Sequence, residues 1–113
     1  MVPVEYDDGY ITVSGYTCKP LYAKSSRSFQ NFFINGRYVK SKTVMAALEQ
    51  GFSSFIAPEK FPVCVLFIDI DPERVDVNVH PAKLEVKFSD EKRVFDAVYY
   101  AALSALQGED RTA

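Results

Sequence analysis

A chain of 113 residues, 48% hydrophobic and 25% charged, has the length and composition of one globular domain, which excludes a multidomain machine and wholesale disorder. Its longest apolar run, Val63 to Ile70, is broken by Asp69 and falls far short of the roughly 20 residues of a membrane helix; no basic and apolar leader opens the chain, so neither a membrane partner nor a secreted precursor is expected. The net charge of -2 conceals a division: Gly9 to Leu48 holds no acid and six basic residues (Lys19, Lys24, Arg27, Arg37, Lys40, Lys42), leaving seven basic and 15 acidic residues elsewhere. A basic half of this kind suits a phosphate-bearing partner, although solvated surface lysines give the same pattern.

The elements follow in chain order. Tyr10 to Tyr16 alternates polar and apolar positions and reads as a strand with one wetter side. Lys19 to Ser28, with Pro20, serines and basic residues but no period, is expected to be a mobile loop. Phe29–Ile34 and Arg37–Lys40 flank Asn35-Gly36, the strongest short signal for a tight β-hairpin because both positions tolerate positive φ. Ser41 can cap a helix whose face is Val44, Ala47, Leu48, Gly51, Phe52, Phe55 and Ile56, ended by Pro58. Pro62 to Ile70 is apolar on both faces, as a central strand covered on both sides would be. Val75–Val79 and Leu84–Phe88 alternate as two short strands interrupted by His80-Pro81. Ser89-Asp90-Glu91 starts a helix with Val94, Ala97, Val98, Ala101 and Ala105 inward, and Gly108 is expected to end it, leaving residues 107–113 as a tail. The order β, β-hairpin, α, β, β, β, α gives an α+β fold, two helices packed on one face of a mixed β-sheet.

Chemistry is sparse. Cys18 and Cys64 lack metal-ligand spacing and read as reduced, buried thiols of a cytosolic protein. His80, the one histidine, has no nucleophile signature beside it and reads as a packing or surface residue. Asp69, Asp71 and Asp76 do not reproduce a metal-binding spacing, and Asp71-Pro72 is explained by a turn, so no metal site is expected. No glycine-rich phosphate loop is present. Pro81 lacks an amide hydrogen and forces His80 to extend, so Lys83 should stand at a rigid corner where a compact charge can reach a phosphate.

Three stretches carry a family likeness: SSRSFQ (Ser25 to Gln30) running into NFFINGRYV (Asn31 to Val39), FPVCVLFIDIDP (Phe61 to Pro72) and VDVNVHPAKLEVKF (Val75 to Phe88). From Gly9 to about Leu106 the sequence resembles the transducer, or second, domain of the N-terminal ATPase region of MutL-type DNA mismatch repair proteins. The resemblance implies a left-handed βαβ crossover and the transducer fold shared with the second domain of a small-subunit ribosomal protein, gyrase and Hsp90 relatives. It implies that residues 1–113 are a single domain within a longer protein, opening on an inter-domain linker over residues 1–8. The preceding GHKL domain would bind ATP and Mg²⁺ and hold the catalytic residues; Lys83 would reach the ATP γ-phosphate, and the chain alone would hold no cofactor and no catalytic residue. Arg37, Lys40 and Lys42, with Arg27 and Lys24, would line a groove for sequence-independent DNA contact. A second MutL protomer and the mismatch-recognition protein MutS are the implied partners, in the cytoplasm, at the nucleoid, of a bacterial source or the nucleus of a eukaryotic one. Two other readings stand beside it: the transducer of a type II topoisomerase B subunit, disfavoured because its glutamine-threonine-lysine tripeptide does not occur here, and a plain protein-interaction domain.

Overall fold

The first strand begins before any was expected. In the computed structural model, which describes residues 2–80 and 83–111 apart from the side chains of residues 27, 77–80, 83–85 and 108–111, Val2–Asp7 forms β1. Val2 and Val4 turn inward while Pro3 and Glu5 face out; Pro3 is tolerated because β1 is an edge strand. Residues 1–8, expected as a linker, therefore contribute a strand to the sheet. β2 (Ile11–Thr17) pairs antiparallel with β1 and with β5 (Cys64–Ile70). β3 (Gln30–Ile34) lies parallel to β5, and β4 (Arg37–Val39) returns from β3 through the Asn35-Gly36 turn. The sheet order is β1-β2-β5-β3-β4. Asn35 (φ 51) and Gly36 (φ 83) both take the left-handed backbone that a tight hairpin needs.

Helix α1 (Lys42–Phe52) starts at Ser41, whose hydroxyl accepts the Val44 N–H. It stops sooner than its apolar spacing suggests. The Ser53 hydroxyl and N–H both donate to the Gln50 carbonyl and tighten the last turn, while Phe55 and Ile56 still pack on the core from the turn that follows. Helix α2 runs from Glu91 to Arg111, continuing through Gly108 where an end was expected. Both helices cover one face of the sheet. Val44, Leu48, Phe52, Val94, Val98 and Leu106 meet Ile11, Val13, Phe32, Leu66 and Ile68 in one buried cluster. The helices approach closely at Gly51, where a Cβ would stand 3.1 Å from the Ala102 Cβ and 3.2 Å from the Tyr99 carbonyl oxygen.

Two further expectations change. β5 is the central strand, but only one of its faces is covered: Cys64, Leu66, Ile68 and Ile70 are buried, whereas Phe67 and Asp69 are exposed. Its continuous apolar run therefore does not signal two covering layers. The Lys19–Ser28 loop carries short 3₁₀ turns at Pro20–Tyr22 and Arg27–Phe29, so Phe29 lies outside β3. Reciprocal hydrogen bonds between Lys24 and Phe61 pin the loop beside β5. A further 3₁₀ turn at Pro72–Arg74 leads into β6 (Val75–His80), which pairs with β7 (Lys83–Phe88) as a separate two-stranded sheet. His80 pairs with Lys83, so the strands are joined register to register with only positions 81 and 82 between them. The two strands expected on either side of His80-Pro81 thus pair with each other; Pro81 itself lies outside the described residues.

Cys18 and Cys64 are both free and buried. Burial, with the neighbouring Cys18 adding to it and the Asn31 backbone N–H opposing it, pushes the Cys64 thiol up to about 12. Because the thiolate is the reactive form, Cys64 is expected to resist alkylation at pH 8 until denaturant is added. Peptide mapping after iodoacetamide treatment checks this; rapid native modification of Cys64 would contradict it.

Candidate functional site: a two-stranded arm and a basic edge

The β6–β7 hairpin forms a two-stranded sheet of its own, and its root is fastened to the rest of the fold by several contacts. There, Ser89 donates its N–H to the Arg74 carbonyl at 2.9 Å. Phe88 is buried in the core, with Val75 and Val86 packed against it. The Arg74 guanidinium lies 4.8 Å and that of Arg93 4.1 Å from the Tyr10 ring centroid, clasping the start of β2 between the arm and α2. Nearby, Asp8 accepts the N–H groups of Tyr10 and Ile11, each at 2.9 Å. Burial works against its charge, yet these hydrogen bonds, Arg93 and the Tyr6 hydroxyl outweigh burial and hold the carboxyl below its usual pKa.

Lys83 is the first residue of β7 and so lies at the far end of this arm, opposite His80. The Glu91 carboxylate sits at the other end: one oxygen accepts the Phe88 N–H at 3.4 Å and the other accepts the Thr43 hydroxyl. The root of the arm is thereby tied to the first turn of α1, next to Lys42.

The basic residues divide. Arg37, Lys40 and Lys42 are exposed along β4, its end and the start of α1, and none has an ion-pair partner among the described residues. Lys24 is exposed but stands apart, beside Phe61 below the start of β5. The Arg27 side chain lies outside the described residues. Asn35 fixes the edge in a way that turn propensity does not announce. Its side-chain amide donates to the Ile70 carbonyl at 2.8 Å and its oxygen accepts the Ile70 N–H at 3.0 Å, extending the β3–β5 ladder past the strand end. Neither this bridge nor the seating of Arg74 and Arg93 on Tyr10 has a periodic signal, because each joins residues at least 35 positions apart in sequence. Among the described residues no group of histidine, cysteine or acidic side chains is arranged to hold a metal, and no helix is long and apolar enough to cross a membrane.

A family described as "DNA mismatch repair protein, C-terminal domain" matches residues 1–107. The chain belongs to the MutL-type DNA mismatch repair family. The MutL protein of Clostridium botulinum (strain ATCC 19397 / Type A) is 45% identical over 109 residues, covering 96% of this chain and 16% of the relative. MutL of Caldanaerobacter subterraneus subsp. tengcongensis is 40% identical, covering 91% and 18%. The chain thus spans less than a fifth of these MutL relatives. Among solved structures, the N-terminal domain of a DNA repair protein superposes with a TM-score of 0.74 at 19% identity, over 97% of this chain and 35% of that one. The 43K ATPase domain of Thermus thermophilus gyrase B superposes with a TM-score of 0.56 at 11% identity, over 96% and 33%. These two likenesses show that the MutL-type domain shares its mixed α+β fold with both.

Proposed function

We propose that this chain is the non-catalytic transducer domain of a MutL-type GHKL ATPase, one that offers Lys83 to the γ-phosphate of ATP and a basic edge to DNA. The observation that carries the reading is the placement of the HPAK lysine. Within a chain of the mismatch repair family, Lys83 opens β7 at the far end of the two-stranded β6–β7 arm. A lysine so placed suits delivery of a point charge to a site formed by another domain. ATP and Mg²⁺ belong, on this reading, to the preceding GHKL domain of the full-length protein; a second MutL protomer and MutS are its partners, in the bacterial cytoplasm. The topoisomerase alternative has only a fold likeness behind it. A plain protein-interaction role would leave the exposed Arg37, Lys40 and Lys42 without a task.

The chain by itself is expected neither to hydrolyse ATP nor to bind it tightly, since one lysine cannot replace a nucleotide pocket and a metal site. Turnover by the pure chain that disappears in Lys83→Ala would overturn this assignment of roles. Arg37, Lys40 and Lys42 can neutralise at most a few phosphates, so duplex binding by the chain should be no tighter than roughly 10⁻⁴ to 10⁻⁶ M near physiological salt. Lys42→Glu in the full-length protein should weaken matched and mismatched duplexes about equally and flatten the salt dependence by about one unit for each phosphate left unneutralised. A loss confined to mismatched duplex, with the salt slope intact, would show that this edge reads the lesion.

A further inference from the structure

The outer side of the edge strand β1 is open. Asp8 donates its N–H to the Ile11 carbonyl at 3.3 Å, and because bonded and non-bonded pairs alternate along an antiparallel ladder, Tyr6–Val13, Val4–Gly15 and Val2–Thr17 are the bonded pairs of β1 and β2. The far side of β2 agrees. Cys18 donates to the Val63 carbonyl at 2.8 Å, so even-numbered residues of β2 bond to β5 and odd-numbered ones to β1. Pro3, Glu5 and Asp7 therefore turn their backbone groups away from the sheet. Pro3 suits its place because it has no N–H to leave bare. Glu5 and Asp7 each present an N–H and a carbonyl there, and these groups have no hydrogen-bond partner among the described residues.

Charge on this edge has one sign. Before Lys19 the sequence has three acids, Glu5, Asp7 and Asp8, and no lysine or arginine. Glu5 and Asp7 are exposed on the face without helices, opposite Ser14 and Thr12 of β2, and with Tyr6 and Val13 these four border a hollow of about 330 Å³. Neither carboxylate meets a cation among the described residues, and Arg93 of the first turn of α2 is seated on the Tyr10 ring. Val4 and Tyr6 alternate with the acids and turn to the core side, where α2 packs over β1.

We propose that the open edge of β1 takes an extended segment of a partner protein as a sixth strand, one with basic side chains two residues apart and an apolar residue between them. Strand addition pairs the bare N–H and carbonyl groups of Glu5 and Asp7. In that register the residues opposite Glu5 and Asp7 point to the same face as the two carboxylates, with Cβ atoms about 5 Å apart, so lysine or arginine there meets its counter-charge. The residue between them turns to the core side beside Tyr6. Charge decides the occupant. A second copy of β1 laid antiparallel sets Glu5 against Glu5 or against Asp7, and like charges directly opposite destabilise a strand pair. This inference goes beyond the roles given to Lys83 and to the basic edge and does not rest on either.

The test uses the 113-residue chain and three fluorescent peptides, each about the length of an ordinary strand: alternating lysine and valine, alternating glutamate and valine, and the lysine–valine peptide with its lysine backbone nitrogens methylated, which keeps the charge and removes the paired donors. The first should bind saturably below roughly 1 mM, and the other two should not. On binding, amide exchange at Glu5 and Asp7 should slow, while Val4 and Tyr6, already bonded to β2, change little. Reversing both charges, Glu5→Lys with Asp7→Lys, should weaken the lysine–valine peptide roughly tenfold and admit the glutamate–valine peptide in its place. Glu5→Pro removes only an outward N–H, as Pro3 already does, so it should keep the parent circular dichroism spectrum and lose the peptide. Absence of saturable binding, equal binding of the methylated peptide, undiminished affinity in the charge-reversed chain, or binding that leaves the Glu5 and Asp7 amides unprotected would each overturn the proposal. So would self-association of the parent chain that Glu5→Pro abolishes, which would give the edge to a second copy.

Discussion

Lys83→Ala in the full-length protein is expected to lower ATP turnover by about 10²- to 10³-fold, the range seen when one preorganised group is removed from developing charge. Stability should hardly move. Among the described residues, Val75, Val86 and Phe88 anchor the arm at its root, and Lys83 lies at the opposite end of the hairpin. The effect should therefore fall on turnover, with the thermal midpoint within about a degree or two of the parent's, since a change that leaves the packed root of the arm intact should cost under roughly 0.5 kcal/mol. Lys83→Arg separates charge from shape: a planar fork on a longer stem restores the charge without the compact ammonium, so recovery should be partial. Undiminished turnover in Lys83→Ala would remove this residue from the mechanism.

The second large effect concerns Gly15. Its φ is +124, and a Cβ added there would stand 2.1 Å from the Val65 carbonyl oxygen and 3.1 Å from the Leu66 Cα. Both neighbours are backbone of the central strand, held between β2 and β3, so they cannot move aside as the end of a side chain would. Backbone strain and the clash together should cost roughly 3–5 kcal/mol in Gly15→Ala, a large part of the roughly 5–15 kcal/mol that typically holds a domain together. Gly36→Ala is the control. Gly36 also has a positive φ, +83, but open space around its Cβ position, so it should lose only about 1 kcal/mol. Urea unfolding midpoints of the two variants test the difference; comparable losses would show that the close approach of β2 to β5 at Gly15 is not the constraint described.

Elements with a strong local signal were legible in the sequence. Asn35-Gly36 forms the hairpin its positive-φ tolerance requires, Ser41 caps α1, and Pro62 to Ile70 contains the central strand. The arm was legible as two strands, but their pairing with each other was not, because alternation fixes which way a side chain faces and says nothing of which strand lies alongside. β1 was missed since Pro3 and the short Val2, Val4, Tyr6 pattern resemble a linker until a neighbouring strand supplies partners. The apolar run in β5 misled about its outer face for a related reason: Phe67 is apolar and yet exposed, and hydrophobicity alone cannot separate a covered face from one kept bare. On the site side, Lys83, Arg37, Lys40 and Lys42 stood out through motif and charge, whereas the Tyr10 clasp and the Asn35 bridge depend on neighbours met only after the chain has folded.

The tight seat of Gly51 against Ala102 and the Tyr99 carbonyl has a mechanical side. Two helices in such close contact cannot slide past each other without a clash, and together with the sheet beneath them they form a stiff slab. The hairpin of β6 and β7 forms a two-stranded sheet of its own, and its root is held where Arg74, Ser89 and Phe88 make their hydrogen bonds. At that root the Glu91 carboxylate joins two layers at once, because it holds the end of β7 and, through Thr43, the turn of α1 that carries Lys42.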